Sequence, residues 1–415
     1  AVLFTVQKTV WRWDDAQIVV RSLVTGEQKV LLDDGADARY VPSGHLVFVR
    51  RGTLMAVPFD PERLTLKGAP VAMIDGVMQA ANNVDVGADS GAGQFAIAAQ
   101  GRLIYVTGGI TPDENRALVW VDRHGSVEPL VAPRLEYMAP RLAPNGQRIV
   151  VTTRPSASRG GNRIWIHDVA RGTSAPLTNQ EEHSLGGVWS PDGARIVFSS
   201  ILPGRSHLSW KSADWPENSE PLVPNDRYDS FPPAPNSWSP DGKIAFVQHD
   251  DIWELSVTDR RARPIVQTPA SEGSPAFSPD GKWLAYTSDH SGRVEVYVQR
   301  YPGPGPLVPV STDGGEAPAW SSDGAELFYL TITSGPVVMN AAPVKAGGSE
   351  ISVGPPRKLF EGRYVATRPF RGYDVTPDGQ RFLMIQRPDP RPSRPNELVL
   401  VENWLDELQR VPSKP

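Results

Sequence analysis

The sequence predicts an all-β fold, a β-propeller of four-stranded antiparallel blades, on three observations. A four-residue turn recurs from one end of the chain to the other, an apolar strand follows every copy, and an aromatic residue returns at a fixed later station.

The turn is clearest as SPDG at 190–193, 239–242 and 278–281 and as TPDG at 376–379, with weaker copies VPSG at 41–44, AAQG at 98–101, APNG at 143–146 and SSDG at 321–324. Proline presets φ for the first central position, and Asp or Asn tolerates the second and bonds nearby backbone. Glycine accepts the left-handed conformation that closes the turn. Each copy therefore reads as a hairpin corner. The strands that follow are HLVFV, RLIYV, QRIVV, ARIVF, KIAFV, KWLAY, AELFY and QRFLM. Near-continuous apolar runs of this length suit strands covered on both faces. Corner glycines fall 39 to 57 residues apart, and most intervals match the 40–50 residues of one propeller blade.

A third strand in each repeat carries the aromatic: LVWVD with Trp120, RIWIHD with Trp165, HLSW with Trp210, DIWEL with Trp253 and EVYVQ with Tyr297. A large flat side chain at one station of every blade fills the space between neighbouring twisted sheets. Fourth strands such as RGTSAPLT (171–178) and RRARPIVQT (260–268) are polar and bear proline, as an edge facing water permits. The ends are incomplete repeats. Residues 1–35 hold three strands without a corner, and 372–403 hold a corner, its two strands and ELVLV. Joining 1–35 to 372–415 would complete an eighth blade and remove an open sheet edge, so the expectation is one domain over 1–415 with eight blades, seven or nine being alternatives. Trp404, Leu405, Leu408 and Val411 recur at helical spacing and predict one short C-terminal helix.

Composition agrees with a turn-rich fold: 41 prolines and 37 glycines in 415 residues exceed the usual share of about 12 %. A formal net charge of −5 gives no electrostatic reason to bind nucleic acid or an anionic membrane. No apolar run reaches membrane-helix length, so the expectation is no membrane insertion within this chain. The absence of cysteine excludes disulfides and thiolate metal sites. The chain starts at Ala1, as a processed product or a segment of something longer would.

Four stretches, ARYVPSGHLVFVRRGTLMAVPFD (38–60), LVWVDRHG (118–125), EGSPAFSPDGKWLAYTSDHSGRVEVYVQRYPGPG (272–305) and NWLDELQRVP (403–412), make the chain resemble the TolB-like, WD-repeat-related propellers, particularly the C-terminal propeller of bacterial transmembrane serine/threonine protein kinases. The resemblance implies an extracytoplasmic domain, tethered by a membrane helix outside this chain, that senses or docks a partner. TolB is similar only in the repeats; its preceding α/β domain has no counterpart here.

The sequence itself shows no phosphoryl-transfer machinery: no glycine-rich phosphate loop, no HRD-type catalytic loop and no DFG. There is no G-x-S-x-G nucleophile elbow and no H-E-x-x-H pair. Asp33, Asp34 and Asp37 cluster around Gly35 without D-x-D-x-D-G calcium spacing. The expectation is a non-catalytic sensing or binding propeller with no cofactor and no metal. The alternative is a secreted or periplasmic hydrolase using carboxylates near the central channel. Because the corners are uniform, recognition is expected on the opposite face, where loops vary in length and chemistry. The candidate anchors there for a protein, peptide or small ligand are Arg159, His183, Arg227, Tyr228, Phe231 and His290.

Overall fold

The computed structural model describes residues 1–7, 13, 16–80, 90–98, 100–111, 116–154, 162–179, 183–202, 205–214, 218–222, 232–303, 305–333, 335–348, 350–387 and 397–410. These fall into two compact units, Glu114–Pro388 and Ala1–Asp113 with Asp389–Pro415.

In the first unit, each apolar repeat forms an antiparallel sheet running from an innermost to an outermost strand. Sheet 1 is Glu136–Leu142, Arg148–Arg154, Arg163–Asp168 and Thr173–Pro176. Sheet 2 is His183–Trp189, Arg195–Leu202, Arg205–Ser212 and Glu220–Pro221. Sheet 3 is Ala234–Trp238, Lys243–Gln248, Asp251–Ser256 and Arg261–Val266. Sheet 4 is Glu272–Phe277, Trp283–Ser288, Glu295–Arg300 and Val308–Pro309. Sheet 5 has Glu316–Trp320, Glu326–Thr331 and the long Val337–Gly347, on which both Glu350–Val353 and Arg357–Gly362 pair. Sheet 6 draws on both ends of the unit: Tyr373–Val375 and Arg381–Gln386 supply its inner strands, Ala117–Asp122 and Val127–Pro129 its outer ones.

Successive sheets pack through separate apolar clusters. Val150 and Ile164 of sheet 1 meet Ile196 and Phe198 of sheet 2, and Val197 meets Ile244 and Phe246 of sheet 3. Ala245 and Ile252 meet Phe277 and Leu284 of sheet 4, and Trp283 and Val298 meet Leu327 and Tyr329 of sheet 5. Phe328 and Met339 meet Val119, Phe382 and Met384 of sheet 6. Finally Leu118, Trp120 and Leu383 of sheet 6 return to Ile149 and Val151 of sheet 1. Because neighbouring residues on a strand point to opposite faces, Leu118 and Val119 serve different interfaces. Six sheets with six interfaces make a closed ring.

Within this unit the ring is closed by sheet 6, where 381–386 pairs with 117–122 and with no strand of residues 1–35. LVWVD, read as the third strand of the repeat cornered at Gly101, pairs instead with the strand after Gly379, in register from Ala117↔Gln386 to Asp122↔Arg381. Strands 2–6, 17–21 and 28–32 pair with one another. A strand apolar on both faces fits any apolar neighbour, so its pattern does not say which corner it belongs to.

All eight corners form, each glycine at positive φ between 67° and 88°. In five of them a hydroxyl two residues before the Asp organises the turn. Ser190, Ser239, Ser278, Ser321 and Thr376 donate to Asp192, Asp241, Asp280, Asp323 and Asp378 at 2.5–2.6 Å, and each accepts a backbone N–H from the next strand. The aromatic station is structural: Trp120 is buried, and Trp165, Trp210 and Trp253 pack partly buried against the inter-sheet clusters.

The other unit contains a sheet of Val2–Val6, Gln17–Arg21 and Gln28–Leu32, and a second of Ala36–Val41, His45–Arg50 and Thr53–Asp60 with Thr65–Leu66 and Val71–Ile74 on its third strand. A third sheet joins Phe95–Ile97 and Leu103–Val106 to Leu398–Val401. The predicted helix is Trp404–Leu408; it buries Trp404 and Leu408 against Leu54 and Leu103, and the Trp404 N–H bonds Gly101 O at 2.7 Å.

Phe382 is wholly buried where sheets 5 and 6 meet, its ring edge-on to Phe328 at 5.1 Å and Phe360 at 5.3 Å. Phe382→Ala is expected to cost about 3–5 kcal/mol in urea unfolding, whereas Val131→Ala at an exposed site is expected to change stability by less than about 0.5 kcal/mol.

Candidate functional site

Near the ring axis the innermost strands share an irregularity. Pairing between first and second strands slips between Met138 and Arg141, Leu185 and Val188, Gly273 and Ala276, and Glu316 and Ala319. The residue seven before the corner glycine lies at positive φ in these sheets: Ala139, Gly186, Ser274 and Ala317. Such bulges bend the strand and re-aim side chains, here where the strands converge. Gly186 has no room for a Cβ, which would lie 2.0 Å from the Phe370 ring.

At the corner end of the axis a cavity of about 310 Å³ takes lining from all six sheets, including Arg141, Trp189, Asn236, Phe277, Trp320 and Asp374. The strands around it are tied sheet to sheet. The Leu142 N–H donates to Asp374 Oδ2 at 2.7 Å and the Phe277 N–H to Ser237 Oγ at 3.0 Å, while Trp189 and Trp320 donate their indole N–H to Arg141 O and Ala276 O. Arg371 donates to Asp374 Oδ1 at 2.6 Å and to Pro318 O. Arg141 is buried, and its Nη1 donates to the carbonyls of Pro140 and Arg371 at 2.8 and 2.6 Å.

A larger groove of about 560 Å³ runs between sheets 3 and 4, with Ile265, Tyr286, Tyr301 and Leu307 as its apolar contacts and Glu272 and His290 at the end away from the corners. The Tyr301 hydroxyl donates to Glu254, which Arg263 also holds at 2.5 Å. Glu272 is buried; Thr268 donates to its Oε1, and its Oε2 has no hydrogen-bond partner among the described residues. Burial above all pushes the Glu272 carboxyl up from the usual range, the Thr268 bond pulls it down, and Asp251 adds to the rise.

Of the sequence-predicted anchors, His290 is exposed and lines this groove, its N–H bonding Ser288 Oγ. His183 opens the innermost strand of sheet 2 and is half-buried. Arg159, Arg227, Tyr228 and Phe231 lie outside the described residues. Around the axis at the loop end, Glu136 pairs with Arg154 at 3.6 Å and Glu316 with Arg368 at 2.7 Å. In the other unit, Asp34 and Asp37 are engaged by Arg50 and Arg39. The axial arginines were missed in the sequence. The signal for Arg141 was its place five residues before a corner glycine, the place that Asp374 holds in another repeat; Arg371 carries no such mark.

A TolB structure from Agrobacterium tumefaciens superimposes with a TM-score of 0.51 at 16 % identity, covering 67 % of this chain and 100 % of that one. The fold is a TolB-like β-propeller. Among curated proteins, a TolB homolog of Chlorobium luteolum is 26 % identical over 191 residues, 45 % of this chain and 40 % of that protein. The uncharacterized peptidase YuxL of Bacillus subtilis is 27 % identical over 205 residues, 38 % of this chain and 31 % of that one. The chain thus spans less than half the length of these relatives. No protein-family profile matches it.

The state of Glu272 gives this TolB-like ring a testable pH response. With its folded pKa above the unfolded value, near 4.3, the native state holds the proton longer, so the contribution is complete below that value and is lost as pH rises through the folded pKa. Glu272→Gln keeps an acceptor for Thr268 and removes the titration. Thermal melts are expected to show the variant more stable than the parent at pH 8 and unchanged at pH 4.

Proposed function

We propose that this chain is a non-catalytic binding propeller, a scaffold that engages a protein or peptide partner on the face away from the corners. The observation that carries the reading is the groove between sheets 3 and 4: apolar and aromatic contacts on two rigid walls, with His290 and the buried Glu272 at its loop end. A partner segment laid along it would find side-chain pockets already in place, with little ordering left to do on this side. The kinase-linked resemblance of 272–305 and 403–412 carries the finer proposal that the domain works outside the cytoplasm, tethered through a segment beyond this chain.

The alternative, a hydrolase with carboxylates near the channel, asks for two acids free to divide the roles of acid and base. At the loop end of the axis, Glu136 and Glu316 are each paired with an arginine, which leaves Glu272, with its Oε2 unpartnered among the described residues, as one such acid rather than two. That arrangement favours the scaffold reading.

Selecting a peptide library on the folded chain provides the ligand for a test. Ile265→Glu, His290→Glu and Leu307→Glu are expected to weaken selected peptides by about tenfold or more each with no shift in melting temperature. Lys243→Glu on the corner side, which lies outside the groove lining, is expected to leave binding intact. Loss of binding from the corner-side change alone contradicts the proposal, and saturable hydrolysis of a selected peptide revives the enzyme reading.

A further inference from the structure

The axial cavity at the corner end has no place in that scaffold reading, and its chemistry is of a different kind. Two guanidinium groups, Arg141 and Arg371, share a lining in which Asp374 is the one acid among the described residues. Asp374 is already committed, one oxygen to Arg371 and the other to the Leu142 N–H. Arg371 spends its donors on Asp374, Pro318 O and Tyr373 O. Arg141 is only 4 % exposed, and no carboxylate hydrogen-bonds it among the described residues: its Nη1 goes to carbonyls, its Nε has no partner there, and the nearby Asp374 charge that favours its cationic form is outweighed by burial and Arg371. A buried arginine left in that state is costly unless an anion compensates it. Burial first, and then the Arg371 charge, lower its proton affinity to about 9, so it remains cationic at neutral pH.

The remaining lining suits an organic anion. Ser237 and Asn236 offer polar groups, and Trp189, Trp238 and Trp320 offer indole surface. A volume of about 310 Å³ admits a carboxylate with a short carbon chain and excludes a folded partner. We propose that this cavity is a carboxylate-binding site, with Arg141 as the group that pairs with the bound anion and Arg371 as the charge that supports it. Planar carboxylate matches the guanidinium fork, a geometry that the tetrahedral oxygens of phosphate match less well in so small a space. The carboxylate arrives either on a free small acid or on the C-terminus of a peptide threaded into the axis.

Titration calorimetry on the full chain separates these sources with three probes: succinate, the tripeptide Ala-Ala-Ala with a free C-terminus, and the same tripeptide amidated. Saturable binding of succinate or of the free-acid tripeptide is expected, the one that binds identifying the source, with the amidated form silent. Arg141→Met is expected to weaken that binding by about tenfold to a hundredfold. Because Arg141 also ties carbonyls together, its loss bears on folding as well as on binding. Asp374→Asn is the second variant: it removes the competing negative charge, keeps an acceptor for the Leu142 N–H, and is expected to tighten carboxylate binding several-fold. The proposal is overturned if no carboxylate binds, if inorganic phosphate binds as well as or better than succinate, or if Asp374→Asn leaves affinity unchanged or weaker. Ile265→Glu and Leu307→Glu in the groove leave this titration untouched, so the scaffold reading and the carboxylate site stand or fall separately.

Discussion

Six residue pairs between Ala117–Asp122 and Arg381–Gln386 hold the ring shut, and the geometry of the axial cavity depends on them. A twisted sheet has two edges, and a row of sheets packed face to face has two uncovered faces. Only when the last sheet meets the first are all faces buried. Sheet 6 does this with strands that lie more than 250 residues apart in the chain. Its two faces carry different apolar sets, Leu118, Trp120 and Leu383 toward sheet 1 and Val119, Phe382 and Met384 toward sheet 5. Without that pairing the six innermost strands would not converge, and the axial cavity they line together would not exist.

Much of this was legible in the chain. Corner residues and second strands are set by local chemistry: turn φ values and apolar runs recur at matching intervals, and each is found where the repeat put it. Partner choice was not legible. LVWVD was read with the strand after Gly101 and ELVLV with the strand after Gly379, and the structure exchanges them: 117–122 pairs with 381–386, and 398–401 pairs with 103–106. Both strands are short and rich in Val and Leu, so neither pattern nor length distinguishes their partners. The blade count followed from that choice.

The candidate sites divide in the same way. His290 was visible as a residue in a loop of variable chemistry, and it borders the groove. The axial arginines were not visible, because strand pattern does not say which side chains meet at an axis. The bulges explain how they get there. An extra residue in the innermost strands of sheets 1 to 5, at left-handed φ in Ala139, Ser274 and Ala317, re-aims the position five before the corner glycine, and Arg141 and Ser237 there share one space with Asp374 of sheet 6, whose pairing runs in register. A uniform corner, which looks like architecture alone in one repeat, becomes the rim of a chemically distinct cavity when six are arranged in a circle.

Since the chain contains no cysteine, engineered pairs report strand neighbours without interference, and the closing pair is the one to probe. Ala117→Cys with Gln386→Cys places two thiols on directly opposed residues. Under mild oxidation the account predicts an intramolecular disulfide, seen as a monomeric mobility shift reversed by reductant and accompanied by a higher melting temperature. Failure of this pair to link, together with ready linkage of Gln386→Cys to Val30→Cys in the N-terminal strands, would contradict closure at sheet 6.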